Sequence, residues 1–271
     1  MNLKRLCKML GSASALCLAC AAQAHFQVLY VDDTALQRAA PVELAAVFTH
    51  PFSGGPTMAM GKPRLFTHTG ADGKQTDLLG YLHPIQWQSL ENRAAAYRAS
   101  VPRELMRAMG DHTFLLEPEP YLEAEEGLYI QQFTKLIVNV GGVPGNWSEP
   151  QGQPVEIQPL SKPYANWTGG VFRARVLADG KPVPYAKVEI EYLNHPMDLK
   201  ANAFGPQALV KAPQASFNTL STYSDDLGIV TIGLPRAGWW GIAALDIGAT
   251  KTHNGKPLSQ DAVLWIQATD M

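Results

Sequence analysis

The sequence predicts an all-β protein built from two β-sandwich domains. Three observations point there. Apolar and polar residues alternate with period two in many short runs, the signature of half-buried strands. Clusters of Gly, Pro, Asp and Asn separate these runs at spacings suited to turns. Outside the first 24 residues, no stretch carries the apolar repeat of a long amphipathic helix.

The chain has 271 residues and opens with MNLKRLCKMLGSASALCLACAAQA. Lys4, Arg5 and Lys8 form a basic start, a mostly apolar run follows, and Ala22-Gln23-Ala24 fits an A-x-A cleavage pattern. These features predict a secretory signal peptide over 1–24, cut between Ala24 and His25. A lipoprotein anchored at Cys20 is the competing reading, disfavoured because leucine is missing three places before that cysteine. The apolar run is too short for a membrane span, which needs about 20 residues. No direct span is therefore expected after cleavage. All three cysteines, Cys7, Cys17 and Cys20, leave with the signal. The mature chain is then free of disulfides and of thiolate metal sites. The 22 basic residues less Lys4, Arg5 and Lys8 leave 19 against 24 acidic ones, a net charge of about −5. Such a surface argues against nucleic acid as a partner.

Residues 25–140 are expected to form the N-terminal sandwich. Val42, Leu44, Ala46, Phe48 and His50 alternate with the residues between them, and short strands are expected at 26–31, 64–68, 76–82, 95–101, 112–117 and 128–140. Residues 103–109, RELMRAM, suit a helical turn or two. The segment 141–165 holds five prolines and four glycines and is predicted to be a linker, with one strand at 154–159. Residues 166–271 are expected to form the C-terminal sandwich. There VFRARVL, Ala178-Asp179-Gly180-Lys181 and PVPYAKVEIEYL predict a hairpin with an Asp-Gly turn. Ala186, Val188, Ile190 and Tyr192 would face the core, with Lys187, Glu189 and Glu191 opposite. A polar insertion covers 194–218, a second strand pair flanks Ser224–Gly228, and GWWGIAALDIGA and AVLWIQATD close the chain as strands.

Three places carry candidate chemistry. Cleavage before His25 would leave a free α-amine beside its imidazole, and the amine and Nδ1 can close one chelate ring on a metal. The α-amine has an ordinary pKa of about 7.7–8.0, and metal binding would displace its proton. In FTHPFSGGPTMAM, residues 48–60, His50 ends an alternating strand beside a Gly-rich loop. Met58 in the same stretch offers a thioether suited to soft Cu(I), and Met60 would share its face. In EPEPYLEAEE, residues 117–126, Glu117 and Glu119 share a face of an extended segment, and Glu117 is the candidate oxygen ligand. His68, His83, His112, His195 and His253 show neither H-x-H nor HExxH spacing and read as structural or surface residues. GxSxG, P-loop and GxGxxG patterns are absent.

Taken together, AHFQVLYVDD, FTHPFSGGPTMAM, LLEPEPYLEAEE, FTKLIVNV, NWTGGVFRARVLADGKPVPYAKVEIEY and LPRAGWWGIAALD carry a family resemblance. The chain resembles a family of bacterial periplasmic proteins, catalogued as a domain of unknown function, that accompany nickel and cobalt uptake transporters of the energy-coupling-factor type. The second-domain run also looks like transthyretin- or carboxypeptidase-regulatory-like sandwiches. The expected fold is therefore Ig-like or transthyretin-like in both domains.

The resemblance implies a periplasmic protein, not an enzyme, that binds Ni(II) or Co(II) through His25 and His50 and serves such a transporter at the inner membrane. It also implies histidine where this chain has Gln132, so that another group, such as His112, would substitute or binding would be weaker. Two rival classes accompany this reading. A copper-binding protein or monooxygenase would use the same N-terminal histidine and second histidine as a brace. A structural or adhesion module would use Gly238-Trp239-Trp240-Gly241 on a sandwich surface, although that motif suits a core strand better.

Overall fold

The computed structural model describes residues 25–271. The expected signal peptide, the Cys20 alternative and the Ala24–His25 cleavage bond lie outside or at the edge of the described residues. The protein is all-β. Its helical elements among those residues are 3-10 turns at Leu79–Tyr81 and Ala215–Phe217, and no helix there is long and apolar enough to cross a membrane. Residues 103–106 close one tight turn through Leu105 N to Pro102 O and Met106 N to Arg103 O, and Met106 is fully buried beneath it.

Three sheets pack around two apolar cores. A seven-stranded sheet runs Phe26–Tyr30, Val42–Thr49, Arg93–Val101, Leu82–Gln88, Ala203–Phe204, Met197–Asp198, with Thr57–Met58 paired to the Val42–Thr49 strand. A twelve-stranded sheet has Lys256–Thr269 and Leu128–Val140 at its centre, paired in parallel from Tyr129↔Leu258 to Leu136↔Trp265. A four-stranded sheet holds Val155–Pro159, Val171–Ala178, Lys181–Pro182 and Ile229–Gly233. The large sheet therefore serves both cores, and side chains that alternate across it feed one or the other. Trp239 enters the first core and its neighbour Trp240 the second. The Gly-Trp-Trp-Gly motif is thus a core strand. Gly241 is required there, because an added Cβ would lie 2.8 Å from the Trp265 ring and 3.0 Å from Phe26.

Most strands in the N-terminal half lie close to where the alternation predicts them; Leu128–Val140 coincides at both ends. The strand Leu82–Gln88 departs from expectation, because the apolar rhythm suggests a run ending at residue 82. Pro84 breaks the sequence signal, yet a proline is tolerated where its strand lacks a ladder partner on one side. Beyond Arg93–Val101, this strand pairs elsewhere only at Gln88 with Ala203.

In the C-terminal half the Asp-Gly turn forms as expected, with Asp179 at φ 47° and Gly180 at φ 72°. The long hairpin does not. Lys181 and Pro182 pair back with Ala178 and Leu177, Val183 N donates to Val176 O, and the pairing stops there. Pro182 and Pro184 lack the N–H groups a continuing ladder needs. The chain then crosses at Tyr185, at φ 56°, and Lys187–Tyr192 joins the twelve-stranded sheet instead. The expected pair around Ser224–Gly228 is likewise split: Thr219–Tyr223 pairs with Lys187–Tyr192 and Ile229–Gly233 with Val171–Ala178, in different sheets. Ala186, Val188, Ile190 and Tyr192 do face the second core. Glu189 and Glu191 are also buried; the loop after His50 folds over Glu191, and Glu189 pairs with Lys187.

Candidate metal centre

His25 precedes the strand Phe26–Tyr30, and His50 follows the strand Val42–Thr49. These strands are antiparallel in the register Phe26↔Thr49. The next step of that register sets His25 opposite His50, and directly opposed residues bring their side chains together. Their ring centroids lie 4.5 Å apart, tilted by 47°. Phe48 packs on His25 at 5.6 Å. A free amine on His25 would lie beside this pair.

Each partner is held from behind. The Gln132 amide donates to the His25 carbonyl at 2.7 Å, and its oxygen accepts from Gln27 N at 2.6 Å. The same amide donates to Asp261 Oδ2 at 3.2 Å, and Asp261 also accepts from Asp246 N and Ser259 Oγ. Trp265 Nε1 donates to Gln27 O at 2.9 Å. The strands Leu128–Val140, through Gln132, and Lys256–Thr269, through Trp265, thereby fix the backbone of residues 25–27. His50 opens a closed loop in which Gly54 N and Gly55 N donate to its carbonyl and Ser53 Oγ donates to Gly55 O. Gly54 has φ +74°, and an added Cβ would lie 2.9 Å from the His195 ring. The loop beside His50 is therefore packed and hydrogen-bonded. Beyond it, Glu191 accepts from Phe52 N at 3.2 Å and from Thr219 Oγ1, and burial pushes its pKa up to about 8.

The two histidines line a cleft of about 990 Å³. Met58 lines it too, brought there by the pairing Phe48↔Met58. The rim carries Glu123, Glu125 and Glu126, with Arg93 among the other lining residues. Glu123 Oε2 lies 3.1 Å from His25 Nε2. Burial first, and then the imidazole of His50, pull the His25 pKa down to about 4. The nearby Glu123 carboxylate works the other way, since it favours imidazolium. The ring is neutral at pH 7 and ready to donate a nitrogen lone pair.

The remaining sequence candidates sit elsewhere. Gln131 and Gln132 follow one another on a strand and so point to opposite faces. Glu117 lies with Gln131, 3.5 Å from its amide, and is not brought to His25. Burial raises the Glu117 pKa, with Arg64 opposing. Met60 faces a separate apolar pocket, where Gln27 Nε2 approaches its sulfur at 3.5 Å. His112 does not substitute at Gln132. It lies opposite Val138, six residues and about 20 Å along the strand, and contacts His68. Gln132 itself holds the backbone of the candidate ligand.

Sequence reading missed Glu123 within its own acidic stretch. A usable signal was present: Gly127, at φ +69°, closes a tight turn through its N–H to Glu123 O. That turn makes Tyr121–Glu123 and Leu128–Val140 a hairpin and sets Glu123 at its closing pair, opposite Leu128. Among the described residues, no three His, Cys, Asp or Glu side chains converge to hold a metal ion. A brace of two imidazoles and one α-amine draws only two of its nitrogens from side chains.

The family model described as a domain of unknown function, DUF4198, matches residues 22–248. The chain belongs to this family. Its description assigns no activity. No curated protein matches the sequence. Among solved structures, the chain is similar to the Yersinia pseudotuberculosis adhesin InvE at 11% identity and a TM-score of 0.22, over 88% of this chain and 58% of that one. The D0-D1 domain of Intimin matches at 8% identity and a TM-score of 0.22, over 90% and 100%. A DUF4785 family protein from Legionella pneumophila matches at 11% and 0.28, over 79% and 50%. The chain thus spans about half the length of two of these three. Likenesses this distant carry no argument about function.

Proposed function

We propose that this DUF4198 protein, once cleaved before His25, captures Ni(II) or Co(II) in the periplasm and supplies an uptake transporter of the energy-coupling-factor type. The observation that carries the reading is the cross-strand pairing of His25 with His50, rings 4.5 Å apart, at an acid-rimmed cleft. The amine and Nδ1 of His25 chelate, and His50 supplies a third nitrogen. Nitrogen donors suit these borderline ions. The glutamates at the rim attract cations, and the neutral ring of His25 keeps one nitrogen lone pair open to a metal.

Copper is the second reading. The same nitrogen set prefers Cu(II) by the Irving–Williams order, and the thioether of Met58 in the same cleft favours Cu(I). Isothermal titration with Ni(II), Co(II) and Cu(II) tests both, on a chain starting at His25 and on one carrying a single extra N-terminal residue. The expected result is tight binding by the first and a loss of at least tenfold in the second. Equal affinity in both forms removes the amine from the site. Mass spectrometry of the secreted protein checks the cleavage bond itself.

A further inference from the structure

Glu123 lies against the edge of His25 that a chelating metal would not use. An imidazole whose Nδ1 joins its own α-amine on a metal leaves Nε2 on the far edge of the ring. The two ring nitrogens point away from each other, so an ion at Nδ1 lies on the opposite side of the ring from any group at Nε2. The group at Nε2 is the Glu123 carboxylate, at 3.1 Å. Both side chains are largely withdrawn from solvent, His25 at 15% exposed and Glu123 at 14%. The hairpin that carries Glu123 is anchored by the pairs Tyr121↔Ile130, Leu122↔Tyr129 and Glu123↔Leu128. Tyr121 packs edge-on against Phe48, the residue that covers the His25 ring. The carboxylate is therefore delivered by a fixed element.

We infer that Glu123 is a positioning residue for the metal site: it accepts a hydrogen bond from His25 Nε2–H and so leaves the Nδ1 lone pair directed at the metal. A neutral imidazole has one donor nitrogen and one acceptor nitrogen, and the partner of one decides the other. A carboxylate accepts only, which selects the Nε2–H tautomer. It also orients the ring and raises the basicity of the ligating nitrogen, the usual contribution of a carboxylate behind a metal-bound histidine. Glu123 thus acts through His25 and does not itself bind the ion. This inference rests on the proposed His25–His50 site.

The test uses the processed chain, residues 25–271, and its Glu123→Ala and Glu123→Gln variants. Long-range nitrogen NMR of the metal-free proteins reports which ring nitrogen of His25 carries the proton, and titration with Ni(II) or Cu(II) reports affinity. The unmodified chain should show Nε2–H. Glu123→Ala should mix the tautomers and weaken metal binding by about 10–100-fold. Glu123→Gln, whose amide oxygen still accepts, should keep the tautomer and restore most of the affinity. An Nδ1–H tautomer in the unmodified chain, or unchanged affinity in Glu123→Ala, overturns the assignment of Glu123. An unmodified chain that takes up no Ni(II), Co(II) or Cu(II) overturns the metal reading beneath it, whatever the tautomer.

Discussion

Gln132 grips His25 by its backbone, donating to the His25 carbonyl at 2.7 Å while its own oxygen accepts from Gln27 N at 2.6 Å. Gln132 and Gln27 are both buried. Truncation to Ala would strand the Gln27 N–H and remove one donor from Asp261. A buried donor left without a partner costs about 1–3 kcal/mol. Gln132→Ala is therefore expected to lower stability by that amount in urea unfolding. It should also weaken metal uptake, because His25 lies beyond the last ladder pair, Phe26↔Thr49, and would lose the donor that holds its carbonyl. Full stability in this variant would show that the clamp is dispensable.

The division between what was legible in the sequence and what was not follows contact distance along the chain. Leu128–Val140 could be read from its own alternation, and the pairing of His25 with His50 needed only one residue at a strand start and another at a strand end. Gln132 lies 107 residues from His25, and nothing local marks it as a clamp. The same holds for Asp261, which supports Gln132 from 129 residues away. The C-terminal strands failed differently. Asp179-Gly180 announces a hairpin truthfully, but Pro182 and Pro184 end its ladder, and which sheet receives Lys187–Tyr192 is decided by packing on both faces. Glu191 alternates with core residues and so reads as exposed; only the loop after His50, folded over it, makes it buried.

Lys135 crosses from the central strand into the second core, where its ammonium pairs with Glu156 and donates to Ile157 O at 3.1 Å. Both side chains are about 2% exposed. Glu156 also accepts from Gln151 N and Gly152 N, so it fastens the 151–152 turn to the core. Lys135→Met would leave that carboxylate buried without its cation, a loss of about 3–5 kcal/mol. Adding Glu156→Gln should recover much of it, because the amide oxygen still accepts from the turn. Denaturant unfolding of the single and double variants measures the difference. A single variant as stable as the unmodified chain would contradict the buried pair.

His68 and His112 form a second buried histidine pair, stacked at 5.1 Å with Nε2 and Nδ1 2.8 Å apart. His112 Nε2 lies 2.8 Å from Ala108 O and donates to it, so its Nδ1 accepts from His68. His68 Nδ1 has no partner among the described residues. Burial first, and then His112, lower the His68 pKa to about 4, with Asp72 opposing. Burial also lowers that of His112, against its bond to Ala108 and the charges of Asp72 and Asp111. The unfolded chain protonates near pH 6.5, so between there and pH 4 it binds a proton at His68 that the folded chain refuses. The stability contributed by the neutral ring is complete above pH 6.5 and lost as pH falls toward 4. Replacing His68 by Phe should make the acid dependence shallower by up to one proton, about 1.4 kcal/mol per pH unit. Urea midpoints at pH 7, 6, 5 and 4.5 decide it, and identical pH profiles for the two proteins would refute it.

Met58 separates the two metal readings. It lines the cleft with His25 and His50 and packs into the first core at 7% exposed. Leu has nearly the same volume, so Met58→Leu should change stability by less than about 1.5 kcal/mol. The substitution removes the only soft donor that the sequence places in this stretch of the cleft wall. Thioethers select Cu(I) and add little for Ni(II) or Co(II). If the protein carries nickel or cobalt, Met58→Leu should leave those affinities within about twofold. If copper is the cargo, Cu(I) binding should fall by tenfold or more while Cu(II), held by the nitrogens, is retained. Competition with a chromogenic Cu(I) chelator, run beside Ni(II) titration on the same preparation, reads both. A matching loss for Ni(II) and Cu(I) would mean that Met58 acts by shaping the cleft rather than by offering its sulfur.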